Sequence, residues 1–150
     1  MPDYLETTVG KFTFRVPTDR FYSADGVWLQ PQGGNQVRVG VTDYLQQHSG
    51  DLAFVSTKPR GTRLVLEEEF AALETIKVNL SLPSPVAGTL VEVNEALATA
   101  PERVNQDPYR EGWLVVIEAA NWDVERTRLL DPDAYFAVMR SQVEAEIRQP

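Results

Sequence analysis

A chain of 150 residues with 43% hydrophobic and 24% charged side chains has the composition of a globular protein able to bury a core. Its formal net charge of −8, with no basic run, argues against a nucleic-acid partner, which would need clustered Lys and Arg. No stretch approaches the roughly 18–20 apolar residues of a membrane span, and the absence of cysteine excludes disulfides and thiolate metal sites.

The first residues, Met1-Pro2-Asp3-Tyr4-Leu5-Glu6, have neither the basic nor the apolar region of a secretory signal, so the expected compartment is the cytoplasm. Residues 9–17 alternate apolar and polar, which predicts one strand. Ser23-Ala24-Asp25-Gly26 is turn chemistry leading into Val27-Trp28-Leu29. Gln32-Gly33-Gly34-Asn35 predicts a hairpin turn before the alternating Val37, Val39 and Val41. Thr42 is an N-cap for a short helix through His48, stopped by Ser49-Gly50. Leu52–Val55 predicts a strand, Lys58-Pro59-Arg60-Gly61 a turn, and Arg63–Leu66 a strand-like stretch. Glu67-Glu68-Glu69 predicts a solvated loop or edge. From Leu73 to Leu82 the period is two, with Ile76, Val78, Leu80 and Leu82 on one face. That pattern places Lys77 on the solvent face of a strand, and no Gly or Pro marks a tip there. Gly88–Val93 and Trp113–Glu118 predict strands, separated by a helical segment that Pro101 interrupts. Asp131-Pro132-Asp133 starts a helix, with an apolar stripe at Tyr135, Phe136, Val138, Met139, Val143 and Ile147. Val37, Val39, Val41, Asp43 and Leu45 align with Thr89, Val91, Val93, Glu95 and Leu97, which predicts two quasi-symmetric halves of short strands.

Few residues bear chemistry. His48 is the only histidine and has no cysteine or second histidine with which to hold a metal. No Gly-x-Ser-x-Gly or phosphate-loop motif occurs, and Gly33-Gly34 lacks a following Gly-Lys-Ser/Thr. With no nucleophile or acid–base constellation, the chain is not expected to be an enzyme. Lysines are scarce: only Lys11, Lys58 and Lys77. A lysine amine that is acylated can carry chemistry absent from the twenty side chains. Lys77, held between Ile76 and Val78, is the candidate.

Several blocks surround it in order: Val39-Gly40-Val41-Thr42-Asp43-Tyr44, Gly50-Asp51-Leu52-Ala53-Phe54-Val55, Glu74-Thr75-Ile76-Lys77, Ser84-Pro85-Val86-Ala87-Gly88, Val91-Glu92-Val93-Asn94-Glu95-Ala96-Leu97 and Asn105-Gln106-Asp107-Pro108-Tyr109-Arg110-Glu111-Gly112-Trp113-Leu114. On these, residues 26–118 resemble the H-protein family of the glycine cleavage system, a lipoyl-carrier fold. The resemblance implies a mostly β, barrel-sandwich hybrid of short antiparallel strands with short helices and a C-terminal helix. It implies a single carrier domain over residues 1–150, with a core at about 9–118 and a helical extension at about 123–148. Lys77 would receive lipoate through an amide bond at the tip of a β-hairpin. Glu74 and Gly61 match positions kept around that lysine, Glu74 for recognition by the attaching enzyme and Gly61 for the turn of a neighbouring loop. Partners implied are a lipoate-protein ligase or lipoyltransferase and dihydrolipoamide dehydrogenase.

The sequence departs from the family at two positions. Carriers of the cationic aminomethyl group resemble one another in a carboxylate where this chain has Val27, and in an acidic residue four after the lysine, here Ser81. A desolvated cation without partners is costly; Asp25 and Glu74 are the remaining candidates to face it. The sequence therefore resembles more closely the lipoate-binding proteins of sulfur-oxidising, heterodisulfide-reductase-like systems, whose cargo is a neutral or anionic sulfur species. The alternative is an H protein serving glycine cleavage enzymes, and a second alternative is an unmodified interaction module of the same fold.

Overall fold

Two hairpins and a helix build the N-terminal third of this computed structural model, which describes residues 3–148. Strands β1 (Tyr4–Val9) and β2 (Phe12–Pro17) pair antiparallel, with Val9 opposite Phe12. The stretch 9–17 is therefore not one strand. The chain reverses at Gly10-Lys11, because Gly10 takes a left-handed φ of 62° that residues with a Cβ avoid. After β3 (Phe21–Tyr22), strands β4 (Val27–Gly33) and β5 (Gln36–Val41) form the hairpin expected around residues 32–35. Thr42 caps α1 (Asp43–Ser49): its hydroxyl accepts from the Leu45 N–H at 3.3 Å. Gly50, at φ 88°, ends the helix.

Next come β6 (Leu52–Thr57), β7 (Arg63–Leu64), β8 (Glu69–Thr75), β9 (Asn79–Pro83) and β10 (Gly88–Val93). Val65 and Leu66 lie outside β7, in the turn that Glu67 completes at φ 72°. A 3-10 turn at Glu95–Ala98, helix α2 (Arg103–Gln106) and β11 (Val115–Ala119) follow. Helix α3 (Trp122–Glu125) and a 3-10 turn at Arg126–Arg128, neither of them expected as a separate element, lead to α4 (Pro132–Arg148).

The strands sort into three antiparallel sheets: β1-β2, a six-stranded sheet β3-β4-β5-β11-β10-β7, and a three-stranded sheet β6-β8-β9. Side chains of the two larger sheets meet in one core. Val39, Val41, Leu90 and Ile117 from the first and Phe70, Leu73 and Leu82 from the second are all essentially inaccessible. Burying each large aliphatic side chain contributes about 1.5–3 kcal/mol, so this shared layer holds the sheets face to face. A second core lies under α4. Tyr135, Met139 and Val143, spaced four apart, pack with Phe14, Val16, Tyr22 and Trp28. The buried stripe is narrower than the pattern predicts, since Ile147 is exposed. Tyr22 and Tyr135 stack at 4.7 Å.

The two-halves reading survives with a correction. Both β5 and β10 run into helical turns and then into another strand, β6 and β11 respectively. The alignment puts Thr89 and Val91 on the core face, yet Leu90 is the residue buried there. A bulge between Leu90 and Glu92 shifts the register against β11 and breaks the alternation. Among the described residues no helix is long and apolar enough to cross a membrane.

Candidate functional site

Lys77 occupies the tip of the hairpin between β8 and β9. The single strand that alternation predicts over 73–82 is thus two strands, ending at Thr75 and restarting at Asn79. No tip residue adopts a left-handed φ, so neither Gly nor Asn is needed. Thr75 does the turning instead. Its N–H donates to the Val78 carbonyl at 2.9 Å. Its buried hydroxyl accepts from the Lys77 N–H at 3.2 Å and the Val78 N–H at 3.1 Å, and donates to the Val78 carbonyl at 3.3 Å. Side-chain oxygens of Thr commonly close turns in this way.

Ile76 and Val78, expected on the apolar face with Leu80 and Leu82, project from the tip; Ile76 is 98% exposed. The Lys77 side chain between them is also exposed. Among the described residues no carboxylate lies within ion-pair distance of its amine. An acyl group on that nitrogen therefore displaces no structural contact, and the site fits an amide-linked prosthetic group.

The base of the tip is rigid. β8 is the central strand of its sheet, paired with β6 through Leu52↔Thr75 and with β9 through Glu74↔Asn79. Directly opposed residues share a face, so Phe54, Glu74 and Asn79 form a row just below Lys77. All three are exposed, and Phe54 is an apolar neighbour of the arm that sequence reasoning missed. Strict alternation from the buried Leu52 would have put Phe54 inward; the irregularity between them turns it out, so no sequence signal marked it. Gly61 lies elsewhere. It sits beyond the other end of β6, takes φ 89°, and donates its N–H to the Leu90 carbonyl at 2.7 Å. The structure brings Glu74 to the tip and does not bring Gly61 there.

The positions in question for a cationic cargo also separate. Val27 is fully buried opposite Val41 in the main core. Ser81 is exposed, in the outward row with Ala72 and Ser56. Asp25 lines a cleft of about 250 Å3 where β9 ends, together with Glu67, Ser84, Glu125 and Arg128. Glu125, nearly buried, uses both carboxylate oxygens to accept from the Ala87 N–H at 3.2 and 3.1 Å. The sequence marks Glu67 only as part of the solvated Glu67-Glu68-Glu69 stretch and does not mark Glu125; both carboxylates reach the cleft, through the Glu67 turn and the short α3. His48 is at the end of α1, 3.0 Å from Glu146, away from the tip. No group of three or more His, Cys, Asp or Glu side chains is placed to hold a metal among the described residues.

Comparison with known proteins aligns with this geometry. The family model for the glycine cleavage H-protein matches residues 20–142. The chain is 44% identical over 125 residues to a probable glycine cleavage system H protein of Natronomonas pharaonis, covering 83% of this chain and 97% of the relative. It is 40% identical over 123 residues to the glycine cleavage system H protein of Salinibacter ruber, covering 82% and 98%. The crystal structure of a glycine cleavage system H protein from Mycobacterium marinum superposes with a TM-score of 0.73 at 31% identity, over 81% of this chain and 97% of that one. These names support the glycine cleavage alternative of the sequence reading; none of them supports the sulfur-oxidising subgroup.

Proposed function

The chain belongs to the glycine cleavage H-protein family, and from that membership we propose that Lys77 is its point of lipoate attachment and that it acts as a carrier, not a catalyst, among glycine cleavage enzymes. The observation that carries this reading is an unpaired, exposed lysine at the end of a hairpin whose turn is braced by Thr75. When attached, lipoate supplies a disulfide that cycles to a dithiol. Each residue around it has a part. Thr75 holds the backbone that presents the amine. Glu74, one row below, supplies the charge by which a lipoate-protein ligase or lipoyltransferase identifies this lysine. Ile76, Val78 and Phe54 offer apolar contact to whichever enzyme receives the tip. Gly61 serves the loop at the far end of β6 and contacts nothing at the tip. Tethering raises the local concentration of the carried group at each docked enzyme, including a dihydrolipoamide dehydrogenase that reoxidises the dithiol. The net charge of −8 steers the carrier toward basic docking surfaces.

A second reading, delivery of a sulfur species to a heterodisulfide-reductase-like complex, is favoured by one specific observation. Val27 is buried and uncharged and Ser81 is neutral, so neither faces a cationic cargo with a carboxylate. Reconstitution separates the two. Fully lipoylated protein incubated with glycine decarboxylase and labelled glycine is expected to acquire label, and Lys77→Arg is expected to acquire none. Complete lipoylation without label uptake would overturn the glycine cleavage reading and leave the sulfur reading standing.

A further inference from the structure

On the outer side of the six-stranded sheet, a cleft of about 410 Å3 is lined by three arginines, Arg20, Arg38 and Arg110, by two carboxylates, Asp19 and Glu111, and by Gln30, Tyr109 and Trp113. Three arginines in one cleft are conspicuous in a chain that has 14 basic residues against 22 acidic ones. The carboxylates there are already engaged. Asp19 accepts from Arg20 Nε at 2.8 Å and from Gln30 Nε2 at 3.0 Å. Glu111 pairs with Arg103 at 3.4 Å. Arg20 is itself spent: its Nη1 donates to the Tyr109 carbonyl at 3.0 Å, and its guanidinium lies 4.7 Å from the Trp28 ring centre.

Arg38 and Arg110 differ. Among the described residues neither has an ion-pair partner. Arg38 projects outward from β5, opposite Gln30 on β4, and its guanidinium rests 4.8 Å from the ring centre of Trp113. Its Nε–H is shut away from solvent with no acceptor. A buried donor left unsatisfied costs about 1–3 kcal/mol, and such a group calls for a ligand or a structural reason. Guanidinium groups match planar or tetrahedral oxyanions through paired N–H donors.

We infer that this cleft is a binding site for a phosphomonoester-class dianion, held between Arg38 and Arg110 over Trp113. Two unpaired guanidiniums match a charge of about −1.5 to −2 at neutral pH. The cleft is also larger than an inorganic phosphate needs, which leaves room for an organic substituent beside Trp113. Engaging the oxyanion turns the Nε edge of Arg38 toward the ligand and ends its isolation. The site is separate from the Lys77 tip, so it stands or falls independently of the lipoyl reading.

The test is titration of the full-length protein, followed by the Arg38 Nε–H and Trp113 indole resonances, with inorganic phosphate, glycerol phosphate, acetate and chloride, each at the same ionic strength. The expected result is saturable shifts with both phosphates, tighter for glycerol phosphate, and weaker binding of acetate. Arg38→Gln and Arg110→Gln should each raise the Kd about ten-fold, while Arg60→Gln, outside the cleft, leaves it unchanged. Arg110 is exposed, so its variant is not confounded by unfolding. Absence of saturation, equal response in all variants, equal response to chloride, or a crystal structure in which Arg38 Nε is satisfied by an ordered water in the presence of phosphate would each overturn the inference.

Discussion

One hydroxyl, that of Thr75, organises the tip by accepting two N–H groups and donating to a carbonyl. Its removal leaves those two amides to water and frees Ile76-Lys77-Val78 to sample other backbones. Thr75→Val keeps the branched shape and β propensity but deletes the bonds. Expected is a loss of about 1 kcal/mol in denaturant unfolding and a lower rate of lipoylation by the attaching enzyme, with Thr75→Ser restoring both. Unchanged lipoylation in Thr75→Val would show that the brace does not prepare the lysine. Glu74 is exposed, so the recognition role proposed for it rests on charge and not on packing. Glu74→Gln is expected to slow lipoylation with no change in unfolding midpoint, read by intact mass against time.

At the scale of elements, the close fit of β4 against β5 is the feature most sensitive to a single atom. A Cβ on Gly40 would lie 2.4 Å from Trp28 Cζ2, and Trp28 is fixed by its indole N–H donating to the Pro108 carbonyl at 3.0 Å. Gly40→Ala is expected to cost about 3 kcal/mol, measured by chemical denaturation; wild-type stability would contradict this packing. Other elements are legible in the sequence because their signals are local. The 32–35 turn, the Thr42 cap and the Asp131-Pro132 helix start each carry local chemistry, so their elements form where expected. Lys77's hairpin carries no such signal. Thr75, Ile76 and Val78 are ordinary strand residues, and the turn exists because a threonine side chain replaces a glycine backbone. Alternation ran through it unbroken, and only the likeness of the surrounding blocks to a known family placed a tip there. The bulge at Val91 and the reversal at Gly10 were hidden for a related reason: one extra residue in a strand, or one glycine between two alternating runs, leaves hydrophobic periodicity almost intact. Phe54 entered the site through sheet register, and Glu125 through a four-residue helix.

For the whole molecule, α4 is tied to the sheets by buried tyrosines. Burial pushes the Tyr135 phenol up to about 12, opposed by its hydrogen bond with Thr42 at 2.9 Å. Burial likewise raises Tyr22 and Tyr109 well above the usual phenol range. Unfolded, these phenols ionise near 10. The unfolded state then loses protons that the folded state keeps, so stability is full below pH about 10 and falls as pH rises from there toward 12. Alkaline titration is expected to show these tyrosines ionising together with loss of α4 helicity, and Tyr135→Phe is expected to flatten that pH dependence; gradual ionisation of a folded protein would contradict it. The central claim, that one exposed amine bears the working group, is tested most directly by intact mass. Protein incubated with a lipoate-attaching enzyme and lipoate should gain one lipoyl increment, mapped to Lys77 by fragmentation and absent in Lys77→Arg. A gain on Lys11 or Lys58, or an increment that persists in Lys77→Arg, would contradict the account.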